Sequence, residues 1–414
     1  MKQPKQLYIL AFVQMWNFFS HYGNRALLLL FMVEGLRVTD FHALGIFALY
    51  AGLFELGGVF GGMVADRFLG MRRALLLGAT LMAAGHLLFE YAFFCGLTLL
   101  VVGNALFSPN VMALLGRFYS LKDARRERGF SLFYVIMNCG ALLATLLCPL
   151  LATRCGYQVG FGLAAIGMGI GVVTLFLYAR ELRVEENNSR AWIGYFGVFG
   201  SLGIVYLLLH GEKILLPVLP FVAMLLFFVI ARPLKELLYL FGALVAFFGI
   251  EEQMSSSFML FAEKVLLLGF SPALLLTINP MIVLSCGSVV SRYMGKISRF
   301  RLVLPFILVG GVFLILGSFS PSFSLLVGTM AMISFAELMV GPYVFSEVSA
   351  LSTKATTMGL IPLGFSIASF LGGAISKGVA KVGYSPGFII IGSAALVVAL
   401  MLIRRKNAPA RIHT

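Results

Sequence analysis

Residues 61–73 read GGMVADRFLGMRR, and residues 287–295 read GSVVSRYMG. From Gly62 and from Gly287, a glycine, an arginine, an aromatic residue and a second glycine recur at the same spacing. Each stretch follows a long apolar block, which predicts a short turn where glycine lets two membrane helices approach and arginine lies at the headgroups. The repeat indicates two related halves that present these turns on the same side of a bilayer.

The composition requires a membrane environment. Of the 414 residues, 60% are hydrophobic and 12% are charged, whereas an ordinary soluble domain has about 25% charged residues. The apolar residues form continuous blocks of roughly 20 residues, the length with which a helix crosses the hydrocarbon core. Such blocks exclude a membrane β-barrel, whose strands alternate over about ten residues. The chain is therefore predicted to be an all-α polytopic membrane protein.

The order of the apolar blocks predicts the domains. About fourteen blocks are candidate spans, which gives two six-helix bundles and an inserted two-helix hairpin. We predict an N-terminal bundle at residues 1–180, a linker with the inserted helix pair at 181–235, a C-terminal bundle at 236–404 and a tail at 405–414.

The positions of the basic residues predict the orientation. A net charge of +14 could indicate nucleic-acid binding, but the Lys and Arg residues lie in short clusters between apolar blocks. Most of them fall on the side that carries both chain termini, and the positive-inside rule makes that side the cytoplasm. We predict a multi-pass protein of a bacterial inner membrane, surrounded by lipid, with both termini and the tail cytoplasmic and no nucleic-acid partner.

Motifs of enzyme chemistry are absent from the sequence. It has no P-loop, no HExxH and no GxSxG. The five cysteines show no CxxC spacing, and the five histidines are too dispersed to form a metal site by spacing. We expect no enzyme activity, no metal and no cofactor.

Three further stretches carry a resemblance to a known family. Residues 14–36 read QMWNFFSHYGNRALLLLFMVEGL, and residues 103–144 and 156–168 contain FYVIMN and GYQVGF. The third stretch joins Glu252 and Ser256 with Asn279. Together with the glycine turns they resemble the proton-dependent oligopeptide transporter (POT) family of the major facilitator superfamily, over most of the chain. The resemblance implies the major facilitator fold and a secondary transporter that moves a di- or tripeptide, an amino acid or a related amine by alternating access.

The resemblance also implies a site. In the family, the counterparts of Asn138, Asn279 and Glu337 bind the amino end of the ligand, and those of Arg25 and Glu252 form a gate between the halves. The expected substrate-binding residues are Tyr22, Arg25, Glu55, Asn138, Asn279 and Glu337. The expected gating or coupling residues are Arg25, Glu252, Glu337, Asp66 and Arg67.

The chain departs from the family pattern at charged positions. The family's first helix carries Glu-x-x-Glu-Arg-Phe, where the three charged positions are here Gln14, Asn17 and Phe18. Ser108 replaces a lysine of the fourth helix, and Glu55 stands where a tyrosine is expected. The cavity is therefore short of positive charge, and we expect it to prefer amine-bearing ligands to acidic ones.

Several alternatives stay open at this stage. Glu337 lacks the lysine that the family places near it, so it could bind the coupling proton; equally, the protein could be a uniporter or an exchanger. A different cargo, such as a nucleoside or a modified amino acid, and a non-transporting sensor on a transporter fold are further alternatives. We expect a monomer with a small-molecule substrate, with protons as a candidate second partner.

Overall fold

The computed structural model describes residues 3–89, 91–119, 125–183, 190–231, 235–294, 302–351 and 360–404. Within these ranges the secondary structure is helical and no β-strand is present, which confirms the all-α prediction. The first six helices are α1 (Lys5–Leu30), α2 (Asp40–Val64), α3 (Met71–Leu88), α4 (Phe93–Arg117), α5 (Arg126–Cys155) and α6 (Tyr157–Leu177).

The inserted helix pair and a second set of helices follow. The pair is α7 (Ala191–His210) and α8 (Glu212–Ala231). The later helices are α9 (Lys235–Glu251), α10 (Ser257–Phe261), α11 (Ile278–Met294), α12 (Val303–Ser318), α13 (Phe323–Leu351), α14 (Leu360–Val382) and α15 (Tyr384–Arg404).

Nine helices of the described ranges are long and apolar enough to cross a bilayer. They are α2 with the turn that follows it, α4, α5, α6, α7, α8, α13, α14 and α15. Several of them turn large apolar side chains outward; Phe196 of α7, for example, is 73% exposed. Such surfaces are stable against lipid and not against water. The total of fourteen spans stays a prediction.

Helix packing follows the order of the two halves. In the first half, α1 packs against α5 and α6, and α3 packs against α4 and α6. In the second half, α9 packs against α13 and α14, and α12 packs against α13 and α15. The halves meet where α2 packs against α14 and α5 packs against α11. The boundaries at 180, 235 and 404 remain predictions.

Glycines allow α2 and α14 to approach each other closely. A methyl group at Gly52 would overlap the ring of Phe370, and one at Gly373 would overlap the Cβ of Ala48. Ser366 Oγ also donates a hydrogen bond to the carbonyl oxygen of Gly52 at 2.8 Å. Small residues that permit such contacts stabilise helix pairs in lipid, where no hydrophobic effect drives helices together. This α2–α14 contact therefore holds the halves together.

The inserted helix pair contacts both halves. The α7 helix packs against α4 and against the π-helical turn Ala65–Leu69 that follows α2. The α8 helix packs against α2 and also against α14. We call the end of the molecule with the α7–α8 connection at Gly211 the outer end, because the positive-inside rule predicts that it faces outside.

The helix formed by α9 and α10 is interrupted by a turn that begins at Glu252. Gln253 in this turn is fully buried and donates to the carbonyl oxygen of Gly372 at 3.0 Å. Its amide oxygen accepts from Ser257 Oγ at 2.7 Å and from Ser376 Oγ at 3.0 Å. These hydrogen bonds satisfy polar groups that could not face lipid. The interruption places Glu252 opposite α1.

Candidate functional site in the central cavity

Arg25 and Glu252 form an ion pair between the halves. Arg25 Nη2 donates to Oε1 and Oε2 of Glu252 at 2.6 and 2.7 Å, and it lies 3.2 Å from Ser255 Oγ. The guanidinium group also lies 5.7 Å from the ring centroid of Phe47. A charge is costly inside a bilayer, so the two groups stabilise each other as a pair. The structure brings these predicted residues together; their action as a gate stays a prediction.

Glu337 and Asn279 form a second polar centre. Asn279 Nδ2 donates to Glu337 Oε2 at 2.5 Å and lies 3.3 Å from Ser334 Oγ. Within the described ranges, no lysine or arginine pairs with the Glu337 carboxylate. An amide supplies a hydrogen bond but no positive charge, so this carboxylate keeps the capacity to accept hydrogen bonds from a cationic ligand.

Two further carboxyl groups interact electrostatically with Arg25. Glu251 precedes Glu252 and interacts electrostatically with Arg25 and with Glu337. Glu55 of α2 interacts electrostatically with Arg25 and Glu252. Since the guanidinium group is already bonded to Glu252, the centre of the molecule holds more carboxyl groups than basic groups among the residues described.

Tyr22 and Asn138 lie on the first half of the site. Tyr22 interacts electrostatically with Arg25 and with Glu337, one residue of each polar centre. Asn138 Nδ2 donates to the backbone carbonyl oxygen of Tyr134 in its own helix at 2.8 Å. The amide oxygen of Asn138 therefore remains available to accept a hydrogen bond from a ligand.

The first helix has neutral polar groups at two of the three positions where the family resemblance places charge. Gln14 and Asn17 are buried, and among the described residues their amide oxygens have no hydrogen-bond partner. Ser20, on the next turn, forms a hydrogen bond with Nε2 of the buried His86 of α3. The interior of the first half is therefore polar but uncharged there.

Asp66 and Arg67 do not join the central site. Both are exposed in the π-helical turn after α2. At ~1.5 Å per residue, Asp66 lies about 16 Å along the helix from Glu55. Their role in gating or coupling remains a prediction. The glycine that ends the second copy of the repeated turn, Gly295, lies outside the described residues.

A cluster of charged residues at the outer end was not foreseen from the sequence. Lys377 of α14 forms an ion pair with Glu212 of α8, and His42 Nδ1 of α2 lies 3.3 Å from Glu212 Oε2. Lys264, which follows α10, forms an ion pair with Asp40 of α2. No sequence motif marks these residues, because they come from separate segments of the chain: the start of α2, the segment after α10, the start of α8 and the last third of α14. We call these five residues the outer-end cluster.

Comparison with known proteins identifies the relatives of this chain. The sequence profile of the POT family, PTR2, matches residues 72–188. Dipeptide and tripeptide permease A of Serratia proteamaculans (strain 568) is 26% identical over 97% of this chain and 91% of the permease. The uncharacterized transporter YclF of Bacillus subtilis (strain 168) is 35% identical over 188 residues. That match covers 43% of this chain and spans 38% of YclF.

Solved structures agree in fold along nearly the whole chain. A peptide transporter POT in complex with sulfate superposes with a TM-score of 0.84 at 27% identity, covering 97% of this chain and 94% of that one. A mutant of a peptide transporter POT in complex with alafosfalin gives a TM-score of 0.85 at 27% identity, with the same coverage. The protein is thus a multi-pass membrane protein with the major facilitator fold, as predicted.

The chain is similar to the POT family in its sequence profile, in its permease relatives and in its fold. Proteins of this family are transporters and not enzymes, so the predicted class, a secondary transporter, is confirmed at the level of the family.

Proposed function

We propose that this protein moves small polar solutes that carry an amino group, namely di- or tripeptides, amino acids or related amines, by alternating access. One observation carries the proposal. In the described part of the chain, Arg25 is bonded to Glu252, whereas the Glu337 carboxylate has the uncharged amide of Asn279 as its partner. A ligand ammonium group would supply the positive charge that Glu337 lacks.

The ligand's amino end would bind between Glu337 and Asn279. Asn138 would accept a hydrogen bond from the ammonium group through its amide oxygen, since its nitrogen already donates to Tyr134. Tyr22 would line the space between this subsite and the Arg25 ion pair, and Glu55 would favour a cationic group on that side.

The ligand's acidic end has less to hold it. Phe18 and Ser108 stand where the family resemblance places an arginine and a lysine. A ligand carboxylate would therefore lack the charge-assisted hydrogen bonds that usually fix it. A ligand with a neutral group at that end should bind at least as well as a free peptide.

The relatives support this substrate class. The Serratia relative is named for dipeptides and tripeptides, and the mutant POT structure contains alafosfalin.

The Arg25–Glu252 pair would form the gate, and the Glu337–Asn279 centre would couple transport to protons. The Arg25–Glu252 pair would close the outer end and would open when the halves separate there. Glu337 would also carry the coupling proton: a protonated carboxyl group still accepts a hydrogen bond through its second oxygen, so the proton and the ligand would cross the membrane together. The protein would act as a monomer in a bacterial inner membrane with cytoplasmic termini, because the two halves of one chain enclose the site.

A matched set of ligands tests the substrate class. The dipeptide Ala-Ala, its N-acetyl form and its C-terminal amide would be added to the purified protein, and thermal unfolding would be recorded. A ligand at 100 times its Kd stabilises the folded protein by about 2.7 kcal/mol. We expect stabilisation by Ala-Ala and by the amide, and none by the N-acetyl form. Glu337→Gln should remove this response, and Glu181→Gln, an acid near the chain's first residues, should retain it.

The opposite order of ligands would refute the proposal. It is wrong if N-acetyl-Ala-Ala stabilises the protein as strongly as Ala-Ala, or if no amine-bearing member of the set stabilises it.

Uptake into proteoliposomes tests the coupling. With an inwardly directed proton gradient, the wild-type protein should accumulate Ala-Ala above equilibrium, and Glu337→Gln should equilibrate it without accumulation. Accumulation that ignores the gradient in the wild type would instead identify a uniporter or an exchanger.

A further inference from the structure

Glu212, the first residue of α8, is a buried carboxylate at the outer end. It is 5% exposed, forms an ion pair with Lys377 of α14, and lies 3.3 Å from His42 of α2. A methyl group at Gly45 would overlap its carboxylate, so the Glu212 side chain lies directly against the α2 backbone. One side chain of the inserted helix pair thus contacts both transport halves.

The partner of Glu212 is also withdrawn from solvent. The Lys377 side chain is 13% exposed, and its Nζ lies 4.0 Å from the ring centroid of Phe41 in α2. This ammonium group of the second half therefore contacts an aromatic ring of the first half as well as the carboxylate of the helix pair. Removing either charge leaves the other buried without its partner.

We propose that the helix pair α7–α8 is a working part of the outer gate and that Glu212 is a positioning residue that stabilises the closed outer end. The proposal rests on the proposed function, since it assumes that α2 and α14 separate during transport. As they separate, Glu212 cannot keep both Lys377 and His42. The closed state is then favoured over the open one by the interaction that is lost.

The structure leaves room for such a movement. A cavity of about 360 Å³ lies beside the ion pair and is lined by His42 and Ile46 of α2, Phe94 of α4 and the α7–α8 connection. Part of the boundary between the start of α2 and the helix pair is therefore not filled by side chains. A helix pair that merely faced lipid would have no need of a buried carboxylate paired with a lysine of the second half.

A distance measurement between the halves tests the proposal. Spin labels would be attached at Thr39→Cys and Lys381→Cys, two exposed outer-end positions on different halves, after the native cysteines are replaced by serine. Double electron–electron resonance would be recorded in lipid nanodiscs without ligand. Glu212→Gln should raise the ratio of long to short distances about tenfold, the change expected when a buried ion pair that favours one state is lost.

Two variants serve as controls. Lys213→Gln changes the exposed neighbour in the same helix turn and should leave the distances unchanged. Lys377→Gln removes the same contact from the other side, so it should give the same shift as Glu212→Gln, and the double variant should add nothing. Lys377→Gln also provides the test if Glu212→Gln does not fold.

An unchanged distance distribution in folded Glu212→Gln and Lys377→Gln would overturn the proposal, even if both variants unfold at lower temperature. Because the measurement contains no ligand, failure of amine binding would leave its result intact. Conversely, unchanged distances together with amine binding would remove the role of the helix pair and keep the proposed substrate class.

Discussion

A single guanidinium nitrogen, Nη2 of Arg25, lies 2.6 and 2.7 Å from the two carboxylate oxygens of Glu252. The residues are 227 positions apart in the chain and belong to different halves. At mid-bilayer an unpaired charge costs at least ~2.5–3.5 kcal/mol, so this pair favours the arrangement in which the halves touch.

Loss of one partner should therefore be worse than loss of both. Arg25→Gln and Glu252→Gln should each destabilise the protein by about 3–5 kcal/mol, since each leaves a buried charge without its partner. The double variant should be destabilised less than either single variant, because it leaves no unpaired buried charge. Thermal unfolding of the four proteins in one detergent forms the double-mutant cycle that measures this. Additive losses would mean that the two side chains do not depend on each other.

The Glu337 carboxylate should contribute most of the affinity for an amine. A hydrogen bond to a charged group contributes about 1.5–3 kcal/mol, so Glu337→Gln should weaken binding of Ala-Ala amide roughly 10- to 100-fold. Asn279→Ala should weaken it less, because the carboxylate remains. Isothermal titration calorimetry gives both constants. Equal affinity in the wild type and in Glu337→Gln would place the amino group elsewhere.

A glycine substitution should separate the halves without changing any charge. Gly373→Ala places a methyl group against the Cβ of Ala48, so the α2–α14 contact must loosen. Gly378→Ala in the same helix meets no atom within 4 Å and is the matched control. The distance between labels at Thr39→Cys and Lys381→Cys should lengthen in the first variant and stay unchanged in the second. Identical distances in both would show that α14 accommodates the methyl group in place.

The ion pair between Arg25 and Glu252 could be predicted from the sequence. Apolar blocks placed Arg25 and Glu252 inside helices of different halves, and a membrane interior leaves a buried charge little choice but to find an opposite one. The resemblance to the family likewise placed Asn279 beside Glu337, and the structure brings them to hydrogen-bonding distance.

The outer-end cluster could not be predicted from the sequence. Glu212 and Lys377 are 165 positions apart, and positive-inside reasoning says that they share a side but nothing of their distance. Their contact depends on α8 packing against both α2 and α14, a tertiary arrangement without local signature. Asn138 shows the opposite case, where a family role was expected and the side chain donates to Tyr134 of its own helix, a competition that sequence spacing does not reveal.

Two acidic residues, one from each half, lie close together at the outer end. Glu34, in the π-helical segment after α1, accepts a hydrogen bond from Tyr157 Oη at 2.5 Å. Glu263 follows the last residue of α10 on the second half. Partial burial and the facing carboxyl group of Glu34 raise the pKa of Glu263 above its usual range, and neighbouring Lys264 acts in the opposite direction.

Closure of the outer end should therefore weaken as the pH rises. A raised pKa in the closed state means that this state binds the Glu263 proton more tightly than an open state in which the two acids are apart and solvated. Lowering the pH then favours closure, and raising it through the usual carboxyl range and above favours opening. As the pH rises from the usual carboxyl range upward, the long-distance fraction of the labels at Thr39→Cys and Lys381→Cys should therefore rise. Glu263→Gln should flatten this dependence, and Glu181→Gln should preserve it; a pH profile that is the same in Glu263→Gln as in its parent would assign the effect to other groups.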